Sequence, residues 1–188
     1  MAHISLENEL PGIRGLLAFR KQVAKPMLEL ADAILQAPSD LSKGDRELIG
    51  AYMSHLNKCN FCHQSHAAAA AHHYGDSFEI IKAVKENIDT APISDKLKAL
   101  LNITAHLQKG GKYVTEKDIA DARMHGATDI EIHDTILIGA VFCMFNRYVD
   151  GLNTWSPLEE EPYIEMGKRM ADQGYMRDET KKLFGIKD

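Results

Sequence analysis

Cys59 and Cys62 stand two residues apart, His66 follows four residues after the second cysteine, and Glu47 lies upstream of both. A C-x-x-C pair can cycle between two thiols and a disulfide, and beside acid/base groups in an intracellular chain it is usually chemistry rather than a staple. On a helix Cys59, Cys62, His63 and His66 fall at i, i+3, i+4 and i+7, so they share one stripe. A cysteine in the first helical turn meets unpaired N–H groups and the positive end of the helix dipole, which favour thiolate over thiol. The dipole alone favours Cys59, whereas His66, one turn beyond Cys62 and placed to exchange a proton with it, favours Cys62. Glu47 is expected to orient or recharge His66. Ser54, on the face of Glu47, is expected to extend the polar network toward the thiols, and Phe61 and His63 flank Cys62 as supporting residues. The competing structural reading is a helix-start cysteine pair, a satisfied histidine and a solvated glutamate.

Two rival uses of the same atoms are weaker. Cys59 to His63 spells C-x-x-C-H, the attachment signature of c-type haem, but the N-terminus lacks the export signal expected of such proteins. Zinc could take Cys59, Cys62 and His63 or His66, yet one helical stripe is poor tetrahedral geometry and no second C-x-x-C or H-x3-H completes the set. No metal and no cofactor are therefore expected. Cys143, in an apolar run, reads as a core thiol.

The elements that must position these residues read as helix almost throughout, so the expected fold class is all-α. Helices are predicted at about Gly15 to Gln36 with a break or kink at Pro26, Leu41 to Leu56, Cys59 to Tyr74 capped by Asn57, and Asp76 to Asn87. Others are predicted at about Ser94 to Gln108, Thr115 to His125, Asp129 to Leu152 and Pro162 to Gln173, with capping boxes starting at Thr115 and Thr128. Residues 1–188 are expected to form one domain with its core at about 15–175 and a C-terminal tail at 176–188, frayed or docked on a partner from Lys181 onward. One echo suggests two weakly repeated helical units: Leu48-Ile49-Gly50-Ala51 and Asn57 recur as Leu137-Ile138-Gly139-Ala140 and Asn146, at an offset of 89. The small residues in each copy allow close helix approach.

The 188 residues are 45% hydrophobic and 26% charged, enough for a sizeable core and too polar for a membrane protein. A formal net charge of -5 with scattered Lys and Arg gives no footprint for nucleic acid. The acidic N-terminus and short apolar runs make the cytoplasm the expected compartment.

Glu47, Ser54, Asn57, Cys59, Cys62 and His66 match the pattern E-x6-S-x2-N-x-C-x2-C-x3-H, and here the chain resembles the alkyl hydroperoxidase D-like branch of the carboxymuconolactone decarboxylase family. The downstream CMFNRYVDGLNTWSP is similar to peroxidase-related members. The resemblance implies an all-helical fold, a homo-oligomer built as a trimer or from trimers, and reduction of hydrogen peroxide or organic hydroperoxides through a sulfenic acid and then an intramolecular disulfide. It implies Cys62 as the peroxidatic sulfur, Cys59 as proton donor and resolving thiol, Glu47 with His66 as proton relay, and an external dithiol or lipoyl-type reductant. Phe61 departs from the well-known alkyl hydroperoxidase, which has histidine there. A redox adaptor for a separate peroxidase, and a decarboxylase-like member that binds a small acid or lactone, are the alternative functions.

Overall fold

A computed structural model describes residues 2–187, and the outermost residues of the expected domain and tail, Met1 and Asp188, lie outside the described residues. The described chain forms ten α-helices and no strand. In chain order they are α1 (Gly12–Phe19), α2 (Lys21–Leu35), α3 (Lys43–Leu56), α4 (Asn60–His73), α5 (Glu79–Glu86), α6 (Asp95–Lys109), α7 (Glu116–Met124), α8 (Asp129–Gly151), α9 (Glu161–Gln173) and α10 (Asp178–Phe184). No described helix is long and apolar enough to cross a membrane.

Local chemistry sets most of the starts. Ser42 and Ser94 accept the Asp45 and Leu97 backbone N–H groups at the heads of α3 and α6. Thr115 with Asp118 and Thr128 with Glu131 form the two expected capping boxes.

Three boundaries differ from the sequence reading. The first predicted helix is broken at Arg20 (φ -117, ψ 70) and not at Pro26, which lies inside α2. The bend lets Leu17 of α1 and Ala24 of α2 be buried in one apolar cluster, and α2 tolerates one missing backbone hydrogen bond at the proline. Asn57 does not cap α4: it ends α3, left-handed Lys58 (φ 62) follows, and Cys59 occupies the N-cap position. Asp76 (φ 62) likewise leaves helical space, so α5 begins only at Glu79.

The central pair is α3 and α4, with α9 laid on α4 and with α6 and α8 on α3. The alanine run Ala67 to Ala71 is wholly buried and gives α4 a surface without bulk. Gly167 of α9 comes so close that a Cβ there would sit 2.6 Å from the Ala68 carbonyl carbon. The backbones of α4 and α9 thus pack at a distance that larger side chains would forbid.

The sequence echo becomes reciprocal packing between α3 and α8. Gly50 faces the Phe142 ring, into which a Cβ would run, and Gly139 faces Leu107 of α6 at 2.7 Å and Met53 Cε of α3 at 3.1 Å. Met53 and Phe142 are themselves equivalent in the repeat. Asn57 Nδ2 donates to Asn146 Oδ1 at 2.8 Å, pairing equivalent residues directly. Such self-complementary contacts are those expected of two like units related by an approximate two-fold axis.

At the C-terminal end, Phe184 is buried against Leu17 and Ala24. This part of the tail is docked on its own chain rather than frayed.

Candidate active site

Glu47 lies in the second turn of α3 and is completely buried. A buried carboxylate must be satisfied by strong donors, and two converge on it. His66 Nδ1 lies 2.7 Å from Glu47 Oε2, and the Tyr175 hydroxyl donates to Glu47 Oε1 at 2.7 Å. The same hydroxyl is 3.2 Å from His66 Nδ1, so the three groups form a closed cluster. With Nδ1 engaged, Nε2 is the nitrogen of His66 left to exchange protons. Its ring is held edge-on by Phe142, with centroids 4.5 Å apart, and lies nearly parallel to Tyr175 at 6.0 Å.

Tyr175 was not anticipated. It lies just past α9, where Gly174 (φ 71) turns the chain and Asp32 Oδ1 accepts the Tyr175 backbone N–H at 2.8 Å. Burial first, and then the charge of Glu47, raise its phenol well above the ordinary tyrosine value, which keeps it a donor. No local motif marks this residue; only its position 109 residues from His66 in sequence and in contact with it in space gives it a role.

The two cysteines are free thiols and both are buried. Cys59 is the N-cap of α4 (φ -82, ψ 95), and Cys62 is the third residue of that helix. Hydrogen bonding to Cys62 and then burial push the Cys59 thiol far above the ordinary cysteine value, with a further contribution from Asp150 of α8. Asp150 is itself raised by burial, against which its hydrogen bond with Cys59 works. Cys59 is therefore the thiol held protonated, contrary to what the helix dipole alone suggests. The partner thiol and desolvation outweigh the dipole because Cys59 is fully buried.

The supporting residues do other work. His63 turns toward α3, where its Nδ1–H donates to the Ala51 carbonyl at 2.9 Å, and burial lowers it to about 4. Ser54 donates to the Gly50 carbonyl at 2.9 Å and accepts from Asn146 Nδ2 at 3.0 Å, so it belongs to the α3–α8 network and not to the thiols. Phe61 is buried against Tyr163, with ring centroids 6.0 Å apart, and its ring fills the space beside Gly12. Among the described residues no group of three or more His, Cys, Asp or Glu is arranged to hold a metal.

A cavity of about 150 Å³ reaches this cluster. Phe61, Ser65 and His66 form its α4 wall, and Tyr175 closes its inner side.

Residues 21–85, which carry Glu47, both cysteines and His66, match the model of the carboxymuconolactone decarboxylase family. The fold is similar to that of an uncharacterized peroxidase-related protein from Silicibacter sp. TM1040, with a TM-score of 0.73 and 25% identity over 82% of this chain and 78% of that one. It is similar also to an alkylhydroperoxidase AhpD core protein, peroxidase-related, from Ralstonia eutropha JMP134, with a TM-score of 0.73 and 26% identity over 85% and 82% of the two chains. Over residues 21–85 the chain is thus similar to the carboxymuconolactone decarboxylase family, and its fold is similar to that of peroxidase-related proteins. No curated protein matches it. Arg14, Asp150, Asn146 and Tyr175 lie outside the matched segment, and α1, α8 and the turn after α9 bring them to it.

Proposed function

We propose that this chain is a thiol peroxidase that reduces hydrogen peroxide or an organic hydroperoxide. The observation that carries the reading is the buried dithiol at the head of α4, followed one turn later by a histidine locked to a buried glutamate and tyrosine.

In this reading His66 takes the Cys62 proton, and the thiolate attacks the terminal peroxide oxygen. The O–O bond breaks, the departing alkoxide or hydroxide recovers that proton through His66, and Cys62 becomes a sulfenic acid. The Cys59 sulfur then attacks the sulfenic sulfur and its proton leaves with the hydroxyl as water, forming the Cys59–Cys62 disulfide. An external dithiol of lipoyl type reduces that bond and is itself oxidised to a disulfide. A protonated Cys59 suits this order because it does not compete as the first nucleophile.

The reading includes a cytoplasmic setting and a homo-oligomer, a trimer or a multiple of it. Ile130, Leu137 and Met144 are exposed at seven-residue spacing along α8, and they supply an apolar stripe for another copy. Sedimentation of the purified protein tests the assembly.

The decisive experiment treats reduced protein with stoichiometric hydrogen peroxide and maps the product by mass spectrometry. A Cys59–Cys62 bridge is expected in the parent, and a sulfenic acid trapped on Cys62 in Cys59→Ser. No mass change under conditions that oxidise a control thiol would refute the reading. Turnover that appears only when a separate peroxidase is added would support the redox adaptor instead.

One observation favours a second reading. The cavity meets His66 and Tyr175 rather than the sulfur atoms, as acid/base chemistry on a small acid or lactone would require. Activity on such a compound that survives replacement of both cysteines would establish it.

A further inference from the structure

The cavity beside His66 is not uniformly apolar. Leu17, Leu28, Phe61, Met166 and Met170 line its body, and three arginines from three elements stand around it: Arg14 of α1, Arg169 of α9 and Arg177 at the head of α10. The guanidinium groups feel one another. Arg14 is lowered by burial first and then by Arg169 and Arg177, and Arg177 by burial and then by Arg169. The Nε atoms of Arg169 and Arg177 are buried without a hydrogen-bond partner.

Local carboxylates do not balance this cluster. Glu165 lies 3.4 Å from Arg169 but is mostly in solvent, so its screening is weak. Glu179 lines the cavity and acts on Arg177. Glu47 is taken up by His66 and Tyr175. Three cations thus share one cavity-lining carboxylate that is not otherwise engaged. Grouped like charges with buried, unpaired donors raise the free energy of the empty protein, and an anion seated among them relieves both penalties. Guanidinium groups match the planar carboxylate in particular, through paired N–H donors.

We propose that this cavity selects a small amphipathic hydroperoxide bearing a carboxylate, with the carboxylate held among Arg14, Arg169 and Arg177 and the apolar body directed along α4 toward His66. The hydroperoxide half rests on the peroxidase reading above; the carboxylate seat does not. At about 150 Å³ the cavity resembles in size an engineered void that holds benzene. The body is therefore a single ring or a short chain, and a long acyl chain does not fit.

The test compares matched pairs that differ only in charge. Binding of 4-isopropylbenzoate and of its methyl ester is measured by calorimetry on the unaltered protein, which requires no variant to fold. The acid is expected to bind at least about tenfold more tightly, the discrimination that a charged hydrogen-bonded pair supplies. Arg169→Gln and Arg177→Gln should each reduce that preference. In turnover, cumene hydroperoxide is set against its 4-carboxy derivative, and kcat/KM should favour the acid by a similar factor. Equal binding of acid and ester, or equal kcat/KM for the two hydroperoxides, overturns the proposal while leaving peroxidase activity standing. Tight binding of the acid with neither hydroperoxide consumed overturns the hydroperoxide half and the peroxidase reading together, and supports the carboxylate seat alone.

Discussion

Replacing Tyr175 by Phe removes one hydroxyl from the centre of the molecule and nothing else. That hydroxyl donates to Glu47 Oε1 at 2.7 Å, in a place where Glu47 has no exposed surface and no water to take over. A hydrogen bond to a buried charged group contributes about 1.5–3 kcal/mol, and leaving its acceptor unsatisfied costs at least as much. The variant should therefore lose about 2–3 kcal/mol of stability. For a chain of this length that corresponds to a fall in Tm of about 4–12 °C. The same change loosens His66, because Glu47 is then free to shift and the hydroxyl 3.2 Å from Nδ1 is gone. Sulfenic-acid formation at Cys62 should slow by about tenfold or more, the usual effect of disturbing a positioned proton-transfer group. Thermal unfolding followed by circular dichroism reads the first effect, and stopped-flow oxidation with peroxide reads the second. A Tm within about 1 °C of the parent would show that Tyr175 is a packing residue whose hydroxyl makes no energetic difference, and the relay as drawn would be wrong.

His63 gives a pH prediction. Its imidazole is lowered to about 4 in the folded chain by burial, against an ordinary value of 6.5, so the unfolded chain binds the proton more readily. Stability from this residue is complete above pH 6.5, falls as the pH drops toward 4, and levels off below that. The loss amounts to roughly 3 kcal/mol. In His63→Gln, the drop in unfolding free energy between pH 7 and pH 4.5 should shrink by about 2 kcal/mol in urea titrations; an unchanged drop would show that other groups carry the acid sensitivity. Gly167→Ala tests the close packing of α9 on α4: its Cβ would meet the Ala68 backbone at 2.6 Å. Backbone cannot rotate away as a side chain can, so a loss of about 3 kcal/mol or failure to accumulate is expected, and a denaturant midpoint equal to the parent's would refute the contact.

Much of this protein is legible along the chain because its signals are local. Helix caps, glycine stops and apolar spacing act over a few residues, which is why the all-α class and the starts of α7 and α8 follow from Thr115, Thr128 and their acidic partners. The pairing of His66 with Glu47 was legible too, since both lie on adjacent helices joined by a short turn. Pro26 misleads because a local rule for breaking helices met a stronger demand, the joint burial of Leu17 and Ala24. Asn57 misleads in the same way: its amide is engaged with Asn146 across the α3–α8 interface and not at the head of α4.

By itself the sequence named the groups whose types suit chemistry: two thiols at the head of one helix, and an imidazole and a carboxylate that adjacent helices pair. Tertiary structure alone decided how those atoms are tuned. Tyr175 reaches Glu47 only because α9 ends in a turn held by Asp32, and Cys59 is kept protonated only because Cys62, Asp150 and the absence of solvent meet at its sulfur. The three arginines around the cavity are scattered in sequence and mark nothing until α1, α9 and α10 converge. Reactivity depends on desolvation and on charges a few ångströms away, and both are properties of distance in space, which the order of residues does not contain.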